Sequence, residues 1–596
     1  MPVSALPRAL AILATLCTVA IAAAARAQDA DGPAEDAPEV EGASADDASD
    51  GEADADEPSA DEPSADEPRA DEPSADEPSA DDAPSADEPS ADDAPSAGDE
   101  PSASSDQGEG SEREEEEEGG EPPLADGEYR LAARIHGEYR HRFIGMSDIP
   151  LPPLPRTSAE ETGRYGANAW GEQWLRVGGE LRLEPILRLV GELDLLWGVA
   201  YGDTAIGQGP AAWTREEYGY PGLRFRQLYL EWLTPIGLLR VGQQAFSWGL
   251  GIIANGGDTP PPFGDYRFGD LVRRVLFATK PAGPDSSFTV AIAGDWVAYD
   301  LIADFERRED LAFQGLVAGF WEEGDDRVGG YVAYRHQTNR LGDELSIVVA
   351  DLYANLHFDE PSGGRIRVSA EVAYVRGVTT FTRTVEHPEH EVEQLMAVGQ
   401  IGRVATDLDV IFEAGYASGD SNADDRFQRR ATMDPDHRVG LILFPEVLAA
   451  MTARSATLAA SPETFGRPAR GLELLPTNGG VSGAYYLFPY AMWRPLEWLE
   501  GRLGMVIAWA STDLVDPYSQ RARSRNQSYL GGDPTRRDLG VEFDGAIRAR
   551  GPIAEGIELS GGVEGGVLIP GRAFDDESGQ PMDVVGLLRL RLGIRY

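Results

Sequence analysis

The sequence predicts a transmembrane antiparallel β-barrel of about 18 strands, preceded by a disordered acidic tract. Three observations predict it. The chain opens on an export leader and afterwards offers no apolar run long enough for a membrane helix. Its later segments alternate, residue by residue, between an apolar and a charged face. Short turns and long loops also alternate along the chain, as they do between the strands of bacterial barrels.

The leader comes first. Arg8 precedes an apolar run from Ala9 to Ala25, and Ala25-Arg26-Ala27 stands just before Gln28. A short apolar core closed by a small-x-small site reads as a secretory signal peptide over residues 1–27, with an uncleaved anchor as the alternative. The only cysteine, Cys17, lies inside that core, and Leu16 before it does not suit a lipoprotein site. The exported chain then has no thiol and no disulfide. No later segment holds 18 uninterrupted apolar residues; Leu441 to Met451 comes nearest and is broken by Pro445 and Glu446. An exported chain without a membrane helix can still span lipid as a closed β-barrel.

The charge is unevenly spread. The 596 residues carry 51 Lys+Arg against 103 Asp+Glu, a formal charge of −52. Residues 28–123 hold 38 of those acids with only Arg69 and Arg113, and so contribute −36. From about Asp54 to Ala103 the chain repeats Ala-Asp-Glu-Pro-Ser with small variations, and Glu114 to Glu118 are five consecutive glutamates. Such a stretch cannot bury enough apolar surface to offset its ordering entropy, and its like charges repel. It is expected to be a disordered tether in the periplasm, either a solvated spacer or a segment docking on a cationic partner or divalent ions. Nucleic acid is excluded as a partner, because the phosphate term needs clustered Lys and Arg.

All 50 Phe, Trp and Tyr residues follow residue 123, so 124–596 is a separate, aromatic-rich module. Its last segment is the clearest strand. In Leu588 to Tyr596 one face reads Leu588, Leu590, Leu592, Ile594, Tyr596, and the other Arg589, Arg591, Gly593, Arg595. That pattern suits a strand with lipid on one side and water on the other. The terminal aromatic Tyr596 also resembles the signal by which outer-membrane barrels are recognised by their assembly machinery. The first strand repeats the pattern, with Tyr129, Leu131, Ala133, Ile135, Gly137 and Tyr139 toward the lipid bilayer. Arg130, Arg134, His136, Glu138 and Arg140 face the lumen.

Short turns are expected at 184–185, 234–237, 281–286, 323–327, 359–364, 405–407, 494–501 and 551–556. Long loops are expected at 144–169, 198–222, 254–271, 298–311, 339–344, 379–391, 418–478, 511–536 and 570–582. These connections separate 18 strands, or 16 if Gln394–Val404 is not one. Trp232, Trp321, Phe358, Trp493, Trp498 and Tyr596 fall near short turns, and Phe143, Trp170, Trp197, Trp296 and Trp509 near long loops. Two aromatic girdles are the interfacial anchors of a membrane barrel. The alternative, a soluble β-sandwich or propeller, would have to bury cationic inner faces on strand after strand.

A barrel of this size can enclose an aqueous channel. The candidate lumen arginines are Arg130, Arg134, Arg140, Arg188, Arg335, Arg367, Arg548, Arg589, Arg591 and Arg595. Glu138, Glu192, Asp194, Glu371, Glu542 and Asp544 accompany them. They form either cross-strand ion pairs along a wet wall or a cationic stripe that selects anions. Lys280 is the only lysine, so the positive groups are planar forks suited to carboxylate or phosphate. Loop 418–478, with its apolar Leu441–Met451, is expected to fold into the lumen or over its mouth.

Other chemistry is thinly represented. Asp420, Asn422 and Asp424 offer alternating oxygen ligands of the kind Ca²⁺ accepts, against the simpler reading of a solvated acidic turn. His387 and His390 flank Pro388, which argues against a helix presenting them together to a metal. Neither G-x-S-x-G, a phosphate loop nor H-E-x-x-H occurs. His141, His336 and His437 remain conceivable bases for a barrel hydrolase, but no enzymatic activity and no catalytic residue are expected.

Several stretches resemble a known group. Val241-Gly-Gln-Gln-Ala-Phe-Ser-Trp-Gly-Leu-Gly-Ile-Ile-Ala-Asn-Gly-Gly-Asp258, Gly264 to Asp270, Phe277 to Pro281, Glu413 to Asp420 and Arg537 to Asp544 carry the likeness. Together they resemble an uncharacterised family of Gram-negative outer-membrane β-barrel proteins. More loosely they resemble the alginate-export and related porin-like barrels of 18 strands, with Gln243 where that pattern often carries Arg. The resemblance implies the barrel and the outer membrane, and with them passage of small or polymeric solutes, anionic ones included. The alternative function is a plugged structural or adhesive scaffold that binds partners through its long loops.

Overall fold

A computed structural model describes residues 129–151, 168–202, 224–265, 269–303, 305, 310–361, 363–382, 387–423, 425–460 and 476–596. The expected signal peptide and acidic tether lie outside the described residues.

Eighteen antiparallel strands form one closed barrel. In chain order they begin with β1 (Arg130–Met146), β2 (Asn168–Glu184), β3 (Leu187–Gly202), β4 (Arg224–Thr234), β5 (Gly237–Ala245) and β6 (Leu271–Thr279). Then come β7 (Phe288–Tyr299), β8 (Leu311–Glu323), β9 (Asp326–Thr338), β10 (Glu344–Asp359), β11 (Arg365–Thr379) and β12 (His390–Val404). The last are β13 (Leu408–Ala417), β14 (Ala484–Leu496), β15 (Leu499–Ala510), β16 (Asp538–Ala554), β17 (Ile557–Pro570) and β18 (Val585–Arg595). Each pairs with its sequence neighbours, and β18 closes on β1 through a register running from Glu138↔Arg595 to Met146↔Leu587. Closure leaves no unpaired edge.

The expected connections are met. All eight short turns and all nine long loops occur between the expected strands, the third loop starting at 246 and not 254, and β12 makes the count 18 rather than 16. The strands run from 9 to 17 residues, and a tilted strand needs roughly 9–11 to cross a bilayer. Outward residues are apolar and exposed on strand after strand: Leu131, Ile135, Ile292, Val317, Val332, Leu503, Leu588 and Leu590 are examples. Trp232, Trp493, Trp498 and Tyr596 stand exposed near the short turns. On the long-loop side the girdle is thinner than expected. Phe143 is exposed, but Trp170 turns inward, is 1% exposed and donates to Glu172 at 2.8 Å.

The lumen differs from a uniformly wet wall. From β7 to β14 the inward residues are largely apolar too, with Ala291, Leu316, Tyr331, Ile347, Val349, Val375, Val398, Ile411 and Phe488 in one buried cluster. Charged inward residues are densest on the other half, from β15 through β18 and β1 to β6, while Asp295, Arg335, Asp351, Glu371, Asp409 and Glu413 stand among the apolar ones. An apolar inner face needs a dry partner. Two inward-folding loops supply it.

Candidate functional site

The first lumen loop follows β5. The wall strand ends at Ala245, earlier than expected, and residues from Phe246 onward leave the wall for the barrel interior. Gly249 and Gly251 sit at φ +61° and +77°, a region that strand residues with side chains avoid, and so turn the chain inward. Trp248 then packs edge-on against Tyr331 and donates its indole N–H to Asp351 at 2.9 Å. The Leu250 N–H donates to Glu371, and Ile252 is fully buried. The two glycines within Trp248-Gly-Leu-Gly251 were the available signal in the sequence.

The second lumen loop lies between β13 and β14, and its apolar segment folds into the lumen as anticipated. Leu441 to Phe444 are fully buried. A π-helical turn (Leu443–Leu448) runs directly into α1 (Ala449–Ala460). The segment is held by one wall carboxylate, since Glu542 Oε1 accepts the N–H groups of Leu441 (2.5 Å) and Ile442 (2.8 Å) and Oε2 that of Leu443 (2.7 Å). Three amides converging on one carboxylate satisfy a helix start that the dry interior would otherwise leave without acceptors.

The two loops also bind each other. Asp434 donates its N–H to the Ile252 carbonyl at 2.9 Å, and Gly269 donates its own to Asp436 at 3.1 Å. His437 Nδ1 lies 3.1 Å from the Leu250 carbonyl, which can only accept. Its Nε2 faces Tyr486 Oη (3.2 Å) and Glu413 (3.5 Å) on the wall. Burial alone would lower the His437 pKa, but the Glu413 hydrogen bond and charge raise it above the ordinary value. His437 is thus a cross-link between loop, loop and wall. His141 instead contacts Tyr201 at 2.8 Å, and His336 contacts Ser346 at 2.9 Å.

The charged half of the lumen is densely cross-paired. Glu564 of β17 receives Arg589 at 2.8 Å and Arg548 at 3.0 Å, with Arg591 at 3.6 Å. Arg140 pairs with Glu138 at 3.3 Å, and Arg595 reaches the same carboxylate at 3.8 Å. Arg142 pairs with Glu172 at 3.0 Å. Arg226, fully buried, binds Glu192 at 2.5 Å and Asp258 at 2.6 Å, while Arg176 binds Asp194 at 2.8 Å. Arg188 pairs with Glu180 at 2.6 Å. On the apolar half, Arg335 pairs with Asp300 at 2.5 Å. Arg367 contacts Gln400 at 3.4 Å. Arg130 and Arg134 take inward, half-buried positions near the short-turn mouth. The arginines and acids singled out in the sequence therefore line the interior, with Glu371 beneath the first loop rather than in the charged wall. Sequence reading missed Arg142, Arg176, Arg226 and Glu564, which strand parity would have found, and Asp258 and Asp265, which sit on a loop without a parity signal.

Water-facing groups remain along this half. The Asp258 side chain is 53% exposed, and that of His136, at 47%, stands across from Glu192. At the loop tip Arg502 donates to the carbonyls of Pro261 (3.2 Å) and Pro262 (2.7 Å). Among the candidate Ca²⁺ ligands, Asp420 accepts the N–H groups of Asn422 and Arg429, each at 3.0 Å. Burial raises its pKa to about 6. Asp424 lies outside the described residues. Among the described residues no three His, Cys, Asp or Glu side chains group so as to hold a metal ion.

No protein-family model and no curated protein matches the chain. Among solved structures it is similar to OccK11 (OpdR) of Pseudomonas aeruginosa, at 11% identity over 78% of this chain and 95% of that one, with a TM-score of 0.38. OccAB1 of Acinetobacter baumannii matches at 9% identity over 78% and 96%, with a TM-score of 0.41. The outer membrane channel DcaP of Acinetobacter baumannii matches at 11% identity over 78% and 97%, with a TM-score of 0.36. The barrel itself rests on the chain's own closed register.

Proposed function

We propose that the chain is an outer-membrane channel or export pore whose path runs between the inward loops and the arginine-rich half of the wall. The observation that carries this reading is the division of the lumen. One half is apolar and packed by the two loops, whereas the other keeps polar groups partly in contact with water at Asp258 and His136. Groups left wet in a barrel interior stand where a passing solute can reach them. Their use is contact with solute. The solutes are small or polymeric, and anionic ones are favoured because the positive groups are guanidinium forks. The exposed apolar outer face meets lipid, and Tyr596 is recognised by the assembly machinery. Entry into β1 from the short-turn side supports a periplasmic place for the acidic tether.

Single-channel conductance of the refolded barrel in a planar bilayer, under a salt gradient, tests the proposal. Stable openings with an anion-biased reversal potential are expected, with larger openings once loop 418–478 is shortened. Silence in both, from protein shown to be folded, sinks the channel. The complete burial of Leu441–Phe444 inside the barrel favours the second reading, a plugged scaffold, and silence would establish it.

A further inference from the structure

The tip of the first lumen loop is fastened by three consecutive residues in three different ways. Phe263 packs on the apolar side against Phe488, with ring centroids 6.2 Å apart. Gly264, at φ +79°, turns its carbonyl toward Arg591 (3.0 Å) and Arg548 (3.4 Å). A Cβ there would also lie 2.5 Å from Arg438 Nε, so the turn requires glycine. Asp265 then directs its carboxylate into the charged wall, where it is 2% exposed.

Three guanidinium groups converge on it. Arg140 Nη1 is 3.1 Å from Oδ1, while Arg591 Nη2 at 3.1 Å and Arg142 Nη1 at 3.6 Å face Oδ2. Burial alone would raise the Asp265 pKa, but Arg591, Arg140, Arg142 and Arg548 hold it well below the usual carboxylate range. The arginines all belong to the rigid wall, on β1, β16 and β18. Only the carboxylate is borne by a loop. Several forks fixed on strands and aimed at one point form a receptor for a planar carboxylate.

We propose that Arg140, Arg142 and Arg591 form a carboxylate-binding site for anionic solutes, filled in the resting barrel by the chain's own Asp265. The proposal rests on the channel reading and names the group that reading would recognise. A solute carboxylate enters by exchange with Asp265. Because Asp265 is tethered, it competes at high effective concentration, so the native site binds weakly and releases readily, as conduction requires. Two of the three forks also hold a wall acid, Arg142 with Glu172 and Arg140 with Glu138, so Asp265 is the one loop-borne member of the cluster, while Glu564 is held chiefly by Arg589 and Arg548.

The test uses citrate as probe and the melting temperature of the full barrel as readout, since a ligand that binds only the folded state raises it. Asp265→Asn keeps the shape and removes the competing charge. Half-saturation by citrate is expected at a concentration at least tenfold lower than in the native chain, and adding Arg591→Gln should abolish the gain. Equal citrate midpoints for native and Asp265→Asn barrels overturn the proposal. Should Asp265→Asn yield too little folded barrel, Arg142→Lys in the otherwise native chain replaces the fork by a point charge. Citrate should then bind at least fivefold more weakly, and an unchanged midpoint overturns the proposal equally. Melting reports binding whether or not current flows. Citrate binding by Asp265→Asn in a barrel that never conducts therefore supports the site and sinks the channel reading alone.

Discussion

His437 on the second lumen loop faces Glu413 on strand β13, with Nε2 and Oε1 3.5 Å apart in the buried interior. Tyr486 already gives its proton to the same carboxylate oxygen at 2.6 Å, and Gln400 donates to the other oxygen at 2.7 Å. With Nδ1 committed to the Leu250 carbonyl, the arrangement is satisfied when His437 carries both protons. Its raised pKa fixes the sign of the pH dependence. The stabilisation is fully present below the unfolded value, about 6.5, and is lost as pH rises through the folded one. Hydrogen exchange of residues 434–445 should accelerate beyond the intrinsic chemical rate as pH rises above about 6.5. His437→Gln should remove that excess, and its persistence would show that another group titrates.

Glu542 carries a separate prediction, because one carboxylate receives three amides of the second loop. In Glu542→Gln the amide NH₂ would oppose the Leu443 N–H instead of accepting it. A hydrogen bond to a charged group contributes about 1.5–3 kcal/mol, so the loop should undock more easily by about 2 kcal/mol while the strands stay intact. Faster exchange confined to residues 439–453 is the expected pattern. Uniform acceleration across the barrel would mean that Glu542 holds the whole fold.

The barrel was legible in the sequence because its outer surface obeys a local rule. In Leu588 to Tyr596, alternate residues must meet lipid whatever lies inside, and the exposed side chains keep that rhythm. The interior obeys no such rule. Within Phe288–Trp296 the inward face carries buried Ala291 and Ala293 beside Asp295, which pairs with Arg274, and which inward positions are apolar depends on residues remote in sequence. The same distance hides Asp265: its partner Arg591 is 326 positions away in the chain, brought near only by barrel closure. Which arginines are paired, and by what, is a property of the closed object. Ion pairing along the wall, read as one of two possibilities from sequence, is what most of the named arginines show.

Leu590 tests the outer face. It lies midway along β18, points outward at 48% exposure, and is flanked by Phe143 and Val563. An arginine at the midplane of a lipid-facing strand costs about 2–4 kcal/mol. Leu590→Arg should show that loss in reversible guanidinium unfolding from phospholipid vesicles. A loss under about 0.5 kcal/mol would mean that this face does not meet hydrocarbon.

Glu564 tests the charged wall from within. It is 1% exposed and is the shared acceptor for Arg589 and Arg548, with Arg591 close by. Removing one member of a buried ionic group costs about 3–5 kcal/mol, because the remaining charges stay desolvated without their counterion. Glu564→Gln keeps the size and one acceptor oxygen, so the lower end, about 3 kcal/mol, is expected in vesicle unfolding. The same change removes a negative charge from the lumen side on which the path is placed and leaves its arginines in excess. The zero-current potential under a salt gradient should therefore move toward that of chloride. Destabilisation without any movement of that potential would place Glu564 in the fold but off the path, and the route would have to be sought elsewhere along the wall.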